Sequence, residues 1–328
     1  ALISAFAFGG SGTAAKPLIE GGIDPLHMTW LRVAGSALLL LPLAVRHRAL
    51  LRRHPLLLAG FGSLAVAGVQ AFYFASIARI PVGVALLIEY LGPALVLGWV
   101  RFVQRKPVSR AAAVGVVLAI GGLACVVEVW SGLAFDTLGL LLGLGAAGCQ
   151  AAYFLMADHG SGDREPVDPL AVVAYGLLIG AAVLTVVARP WGMRWQVLGG
   201  QVPMGERQVP AVLLLAWVVL IATVLAYLTG VVSVRKLSPQ VAGVVAFLEA
   251  VIATLLAWLL LGEHLSVPQL LGGAAVLTGA FVAQRAAPGK PSDGPVLRHR
   301  AGADTAGADG TADDGVPAGG GRPGAPCP

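Results

Sequence analysis

The sequence predicts an all-α membrane protein with ten transmembrane helices in two inverted five-helix repeats, followed by a disordered C-terminal tail. Three observations lead to this fold class. Hydrophobic residues make up 57% of the 328 residues and charged residues only 12%, whereas soluble domains carry roughly 25% charged residues. Ten apolar runs, separated by short connections, are each long enough to cross a bilayer. The two halves of the chain also share motifs in the same order.

The apolar runs fit membrane-spanning helices, which need about 20 residues each. Backbone polar groups in lipid must be satisfied within the segment, and the runs are too long for barrel strands, so only helices are suitable. For the first run, which begins without a basic n-region, a cleaved signal peptide is the alternative. The predicted spans are 1–19, 25–45, 55–77, 80–100, 108–127, 137–156, 168–188, 210–233, 239–261 and 267–285.

Lysine and arginine are distributed unevenly between the connections, and this bias indicates the orientation of the chain. The connections after spans two, four and eight are basic, with Arg46, Arg48, Arg52, Arg53, Arg101, Arg105, Lys106, Arg110, Arg235 and Lys236. Those after spans one, five and nine carry Glu20, Asp24, Glu128, Asp136 and Glu263. We therefore expect both termini in the cytoplasm of a multi-pass protein of the cell membrane. The arginines after span seven count against this orientation.

An internal repeat relates the two halves. Asp24-Pro25-Leu26 opens span two, and Asp168-Pro169-Leu170 opens span seven. Aligning Pro93 with Ala250 also pairs Ser109 with Ser266, Gly115 with Gly272 and Gly122 with Gly279. Five spans per half is an odd number, so the halves insert with opposite orientation, as in many secondary transporters.

The repeat divides the chain into three predicted parts. Residues 1–128 form the first repeat with spans one to five, and residues 137–285 form the second with spans six to ten. Residues 286–328 are rich in Gly, Ala, Pro and Asp. Such a segment buries too little apolar surface to offset the entropy of ordering it, so we expect a disordered cytoplasmic tail.

Several short motifs resemble one known family. They are Phe8-Gly9 with Lys16, Trp30-Leu31-Arg32, Leu248-Glu249 and Leu261-Gly262-Glu263-His264-Leu265-Ser266. Together they resemble the drug/metabolite transporter superfamily with two EamA-type domains, and the stretch 81–93 resembles its threonine/homoserine exporter branch. Two features depart from the family: Ala250 stands where proline is common, and Arg105-Lys106 where the second half has Gly262-Glu263. The resemblance implies ten spans and export of amino acids or other small metabolites.

Two glutamates lie deep inside predicted spans. Glu89 is about nine residues into span four, roughly 14 Å along a helix, and Glu249 has a similar depth in span nine. Ionisable groups at such depth usually face a cavity or a partner. Pro93 lacks the N–H that would bond the Glu89 carbonyl, so we expect a hinge at Gly92 and Pro93. A midplane carboxylate suits a substrate ammonium group and proton coupling; a hydrogen bond to a neighbouring helix is the structural alternative.

Two basic residues also lie inside predicted spans. Arg32 is about two turns into span two, and its planar guanidinium suits a substrate carboxylate. Lys16 is near the outer end of span one, where snorkelling to the interface is the favoured interpretation. Snorkelling is an open alternative for Arg32 as well.

Uncharged polar side chains in the middle of spans complete the predicted binding site. They are Gln70 and Tyr73 in span three, Tyr90 in span four, Gln150 and Tyr153 in span six, and Tyr227 in span eight. Gln70 and Tyr73, like Gln150 and Tyr153, are three residues apart and share a helix face. The family resemblance places spans three and six around a central cavity. Interhelical hydrogen bonding is the alternative role for each of them.

The motifs present favour a secondary transporter that works by alternating access at a midplane cavity. The sequence contains no P-loop motif, which would indicate direct use of ATP. It also contains no nucleophile or paired-acid motif, which would favour the alternative of a membrane-embedded enzyme. We predict no catalytic residue, no metal site, no cofactor and no nucleic-acid partner. The expected partners are a small-molecule substrate, the lipid bilayer and protons. Transport of other cargo, such as cationic drugs or nucleotide sugars, is the open alternative.

Overall fold

The architecture is given by a computed structural model that describes residues 2–128, 136–159, 168–236 and 239–286. Within these ranges, only the backbone of 157–159, 234–236, 239–247 and 284–286 is described. The predicted tail over 286–328 lies outside the described residues, except for Ala286 at the end of the last helix.

In the first half, helices cover every predicted span to within a few residues. The α-helices are α1 (Leu2–Glu20), α2 (Pro25–Arg46), α3 (Ala49–Arg53), α4 (Pro55–Gly60), α5 (Val69–Ile77), α6 (Val82–Glu89), α7 (Gly92–Phe102) and α8 (Arg110–Val127). The short helix α3 lies in the connection after predicted span two. A π-helical stretch, Phe61–Gly68, joins α4 to α5 into one continuous segment.

The second half is also built of long helices. They are α9 (Thr137–His159), α10 (Pro169–Ala188), α11 (Ala211–Ala216), α12 (Ala226–Lys236), α13 (Pro239–Leu261) and α14 (Val267–Ala286). A second π-helical stretch, Trp217–Leu225, joins α11 to α12.

Seven helical segments of the described chain are long and apolar enough to cross a membrane by length and composition. They are Pro25–Arg46, Pro55–Ile77, Val82–Phe102, Arg110–Val127, Thr137–Met156, Pro169–Ala188 and Ala211–Ser233. Large apolar side chains cover their outer surfaces: Phe102 is 81% exposed and Val117 is 70% exposed. Water would not solvate such a surface, whereas lipid does. The mostly helical, membrane-type fold is thus as predicted, while the total of ten spans stays a prediction.

The prediction of an exclusively helical fold was wrong in one connection. Between α10 and α11, strands β1 (Gln201–Met204) and β2 (Arg207–Pro210) form an antiparallel hairpin. Gly205 begins its two-residue turn at a φ of +61°, as favoured hairpin turns require. The strands have only four residues each, and each contains a proline, which is typical of segments outside a sheet, so no strand was predicted there.

The two π-helical stretches were also not predicted, because runs that are apolar on almost every side show no helical period to interpret. Both occupy the middle of a spanning segment, and each packs on a helix of the other half. Gly62 of the first stretch lies against Ile179 of α10, and Val219 of the second lies against Gly35 of α2. Such stretches are rare and are often found at functional sites.

Helices α8 and α14 pack antiparallel through glycines. A Cβ atom at Gly115 would lie 2.8 Å from the carbonyl oxygen of Gly279, and one at Gly122 would lie 2.7 Å from that of Gly272. Only residues without a side chain allow backbones to approach this closely. The glycines that the repeat alignment identified are therefore the contact surface between these two helices.

The shared Asp-Pro-Leu motifs begin helices in the same way. The Asp24 carboxylate accepts a hydrogen bond from the Leu26 amide at 2.8 Å, and Asp168 accepts one from Leu170 at 3.1 Å. In both helices the proline occupies the first turn, where its missing N–H costs nothing. The motif therefore fixes where α2 and α10 start.

Candidate functional site

Arg32 is buried in the interior of the bundle and is held by four oxygen atoms from three other helical segments. Its Nη1 donates to Ser11 Oγ at 2.7 Å and to Gln70 Oε1 at 2.8 Å. Its Nε donates to Thr223 Oγ1 at 2.9 Å, and its Nη2 donates to the Ala222 carbonyl at 3.3 Å. Residues 222 and 223 belong to the second π-helical stretch. The predicted interior position of Arg32 is confirmed, and the snorkelling alternative is wrong.

All of these hydrogen-bond acceptors are uncharged. In the part of the chain that the structure describes, no carboxylate lies within ion-pair distance of Arg32. The guanidinium also lies 5.4 Å from the centre of the Phe74 ring, which is a favourable cation–π distance. A buried charge that is held only by neutral groups retains much of its field. Arg32 is therefore suited to attract an anionic group.

Glu89 and Glu249 lie near this guanidinium on the helices α6 and α13. Both carboxylates are close enough to Arg32 to interact with it electrostatically, and Glu89 interacts in the same way with Glu249. The Tyr90 hydroxyl is hydrogen-bonded to the Glu249 carboxylate. Both glutamates are half-buried. We call Arg32, Glu89, Tyr90 and Glu249 the central cluster.

The helix breaks beside this cluster, as the proline predicts. Helix α6 ends at Glu89, and α7 begins at Gly92, one residue before Pro93. The Leu91 amide bonds the Ile88 carbonyl at 3.0 Å in a tighter turn. A Cβ at Gly92 would meet the side-chain amide of Gln150, so a larger residue there would have to displace the end of that side chain. Whether the break works as a hinge stays a prediction.

The predicted tyrosines surround the cluster. Tyr73 is buried on α5, and Tyr227 of α12 lies edge-to-face on Phe8 with ring centres 5.1 Å apart. Both hydroxyls are within electrostatic range of Arg32. Tyr153 lies further out, where it packs on Phe61 at 5.2 Å. The structure thus places Gln70, Tyr73 and Tyr227 near Arg32. Gln150 lies beside Gly92, and Tyr153 lies at the edge of the central cluster.

Lys16 and Glu263 form an ion pair at one end of the bundle. The Lys16 Nζ lies 2.6 Å from Glu263 Oε1 and also donates to the Ile80 carbonyl at 3.2 Å. The second carboxylate oxygen of Glu263 accepts from the Val82 amide at 2.9 Å. The pair, 14% and 13% exposed, joins α1, the connection before α6 and the connection after α13. The sequence favoured snorkelling of Lys16 to the interface, and that interpretation is wrong, because its ammonium group is bonded to Glu263 and to the Ile80 carbonyl.

A second ion pair lies at the same end but is exposed to solvent. Arg79 Nη1 lies 2.7 Å from Asp136 Oδ2, and the side chains are 44% and 38% exposed. The hydrogen bond from the Arg79 guanidinium holds the pKa of the Asp136 carboxyl below its usual value. This pair joins the α5–α6 connection to the start of α9.

The sequence did not identify Ser11, Thr223 or Glu263 as members of these clusters. Ser11 and Thr223 are small polar residues inside apolar runs, and that was the only available signal for them. Glu263 was interpreted as a charge in a connection. Among the described residues, no three His, Cys, Asp or Glu side chains are arranged to hold a metal ion.

Comparison with known proteins gives a family match over both halves. The model of the EamA-like transporter family matches residues 1–128 and 137–284. A solved crystal structure shares 20% sequence identity and superimposes with a TM-score of 0.57, covering 86% of this chain and 94% of that chain. This similarity concerns the fold alone.

Three curated relatives are each 27% identical to the chain. The threonine/homoserine exporter RhtA of Escherichia coli (strain K12) matches over 235 residues, 70% of each chain. RhtA of Salmonella typhimurium (strain LT2) matches over the same length and share. An uncharacterized transporter of Archaeoglobus fulgidus matches over 278 residues, 84% of this chain and 92% of its own length.

Proposed function

Because the chain belongs to the EamA-like transporter family, and is thus a membrane transporter and not an enzyme, we propose that it is a secondary active exporter of amino acids or similar small metabolites. One observation carries this proposal: a buried arginine without a carboxylate partner lies near two glutamates. Such an arrangement of opposite charges complements a zwitterion. The substrate carboxylate would bind Arg32, and its ammonium group would bind Glu89 and Glu249.

The charges of the central cluster also favour an amino acid over the alternative cargoes. A cationic drug has no carboxylate, so it would leave the buried guanidinium without an anionic partner. A nucleotide sugar carries two phosphate charges, which the two glutamates would disfavour. The relatives named as threonine/homoserine exporters support amino-acid cargo as well. We further infer that Gln70, Tyr73, Tyr90, Gln150, Tyr153 and Tyr227 shape the site around the bound substrate.

We propose that ten spans form two inverted repeats, residues 1–128 and 137–285, in the cell membrane with both termini cytoplasmic. The glycine contacts support this symmetry. The alignment equates Gly115 with Gly272 and Gly122 with Gly279, while the contacts pair Gly115 with Gly279 and Gly122 with Gly272. A two-fold axis between α8 and α14 would interchange these two contacts. Arg105 and Gly262, which the alignment also equates, both have a positive φ.

Counterflow in proteoliposomes tests the proposed cargo. Vesicles loaded with unlabelled threonine should accumulate labelled threonine against a concentration difference, because exchange through one site needs no other driving force. Loading with a primary amine that lacks the carboxylate, or with the hydroxy acid that lacks the ammonium group, should give no accumulation. Exchange of a cationic drug, with none for any amino acid, would contradict the proposed substrate.

We propose that the Lys16–Glu263 ion pair closes the outer end during alternating access. It joins α1 and the α5–α6 connection of the first repeat to the α13–α14 connection of the second, so the outer end cannot open while the pair is intact. The repeat alignment equates Glu263 with Lys106, which is a cation. The cytoplasmic end therefore lacks an equivalent carboxylate at that position.

Replacing Glu263 by glutamine should therefore open the outer end more often. In a background without Cys125, Cys149 and Cys327, a Gln70→Cys reporter would be labelled from outside with an impermeant thiol reagent. We expect Glu263→Gln to raise the labelling rate about tenfold, since it removes a charged hydrogen bond from a shielded position.

Asp136→Asn provides the matched control, because it breaks the exposed ion pair at the same end. It should change the labelling rate by less than about twofold, since exposed pairs contribute little. Equal rates for Glu263→Gln and the parent protein would contradict a closing role for the ion pair.

A further inference from the structure

A cavity lies at the opposite end of the bundle, in the connection between α2 and α4. Its volume is about 670 Å³, and it is lined by Arg48, Ala49, Leu51, Arg52, Arg53 and Tyr175. We call it the arginine cavity. Three of its six lining residues are arginines and none is acidic, so its field favours an anion. The proposed orientation places it at the cytoplasmic surface.

The cavity has a fixed floor and cationic walls. Tyr175 is only 8% exposed, and its hydroxyl donates to the Ala44 carbonyl at 2.8 Å, which ties α10 to α2 beneath the cavity. Arg48 and Arg52 form no hydrogen bond or ion pair with any residue in the described ranges. The carboxylate of Asp168, at the start of α10, bonds the Leu170 amide at 3.1 Å and lies 3.7 Å from His47.

The apolar surface beside the cavity identifies the kind of anion. Leu51 lines the cavity and is 46% exposed. Val45, in the last turn of α2, and Leu56, in the first turn of α4, are 62% and 77% exposed, so apolar surface continues along the chain on both sides of the cavity. A soluble anion would contact only the arginines, whereas a phospholipid would fill both regions. Arginine binds phosphate oxygens through paired, charge-assisted hydrogen bonds.

We propose that the arginine cavity binds the headgroup phosphate of an anionic phospholipid from the cytoplasmic leaflet. The acyl chains would lie along the exposed side chains of α2 and α4. Basic pockets on the cytoplasmic side of membrane proteins attract such lipids. This site is separate from the substrate site, and the proposal holds whatever the cargo is.

The test uses the purified full chain in detergent with added phosphatidylglycerol or phosphatidylcholine. Phosphatidylglycerol should raise the unfolding temperature and remain bound in native mass spectra, whereas phosphatidylcholine should do neither. Arg48→Gln combined with Arg52→Gln should weaken phosphatidylglycerol binding about 30-fold, roughly fivefold for each arginine near the surface. Arg48→Lys with Arg52→Lys keeps the charge and should retain most of the binding.

Arg101→Gln combined with Arg105→Gln is the matched control. Arg101 lies in the last turn of α7 and Arg105 in the connection that follows. Neither lines the arginine cavity, so binding should stay within about twofold. An equal loss in this control would overturn the proposal in favour of diffuse surface attraction. Equal stabilisation by phosphatidylcholine would also overturn it. If water-soluble glycerol 3-phosphate binds as tightly as the lipid, the cavity is a site for a free phosphate, and the proposal of a lipid ligand is overturned.

Discussion

Replacing Arg32 by lysine is expected to reduce amino-acid counterflow at least about 100-fold, because lysine cannot reproduce a planar, multiply bonded guanidinium. The arginine makes four hydrogen bonds through three nitrogen atoms, to Ser11, Gln70, Thr223 and Ala222. A single ammonium group cannot reach all of these oxygens from one position. Each hydrogen bond to a charged group contributes about 1.5–3 kcal/mol, so losing two of them accounts for the expected reduction.

A second variant separates binding from folding. Thr223→Val keeps the side-chain volume and leaves the charge of Arg32 in place, but removes the acceptor for Nε. We expect counterflow to fall about tenfold while the protein stays folded, with its unfolding temperature lowered by roughly a few degrees because the buried Nε loses its acceptor. Arg207→Lys, on the exposed hairpin strand β2, should change neither quantity. Counterflow by Arg32→Lys within about threefold of the parent protein would contradict a role for Arg32 in binding the substrate.

The helical segments could be predicted because they depend on local properties of the sequence. A run of about 20 apolar residues is long enough to span a bilayer, and lipid forces its backbone into a helix. Asp24 and Asp168 mark helix starts by capping them, and Pro93 marks a break, because each acts on its own turn. Depth along a span also follows from counting residues, which is why Arg32, Glu89 and Glu249 could be identified as interior groups.

The contacts between helices could not be predicted, because they depend on how distant segments face one another. Lys16 and Glu263 are 247 positions apart, and nothing in either local sequence indicates the other. Ser11 and Thr223 bind Arg32 only because α1 and the second π-helical stretch pack against α2. Small polar residues in apolar runs look the same whether they bond their own helix or a distant side chain. The hairpin at 201–210 was missed for a different reason, since its strands are too short to show alternation.

Replacing Glu89 or Glu249 by glutamine is expected to abolish stimulation of transport by a pH gradient in at least one of the two variants. Proton coupling requires a group that binds a proton on one side of the membrane and releases it on the other. A midplane carboxylate can do this, and an amide of the same size cannot. Because both glutamates are half-buried beside Arg32, each can interact in turn with Arg32, with the substrate or with a proton. Glutamine at 249 would still accept a hydrogen bond from the Tyr90 hydroxyl, so the local packing should be preserved.

Two measurements on the same vesicles distinguish coupling from binding. Counterflow at equal pH on both sides needs no coupling, so a variant that has lost only the proton step should retain counterflow. Uptake driven by a pH gradient should instead fall to the rate measured without a gradient. Asp136→Asn alters an exposed carboxylate at the proposed outer end and should leave the stimulation unchanged. If both Glu89→Gln and Glu249→Gln respond to the gradient as the parent protein does, neither carboxylate carries the proton, and the central cluster serves substrate binding alone.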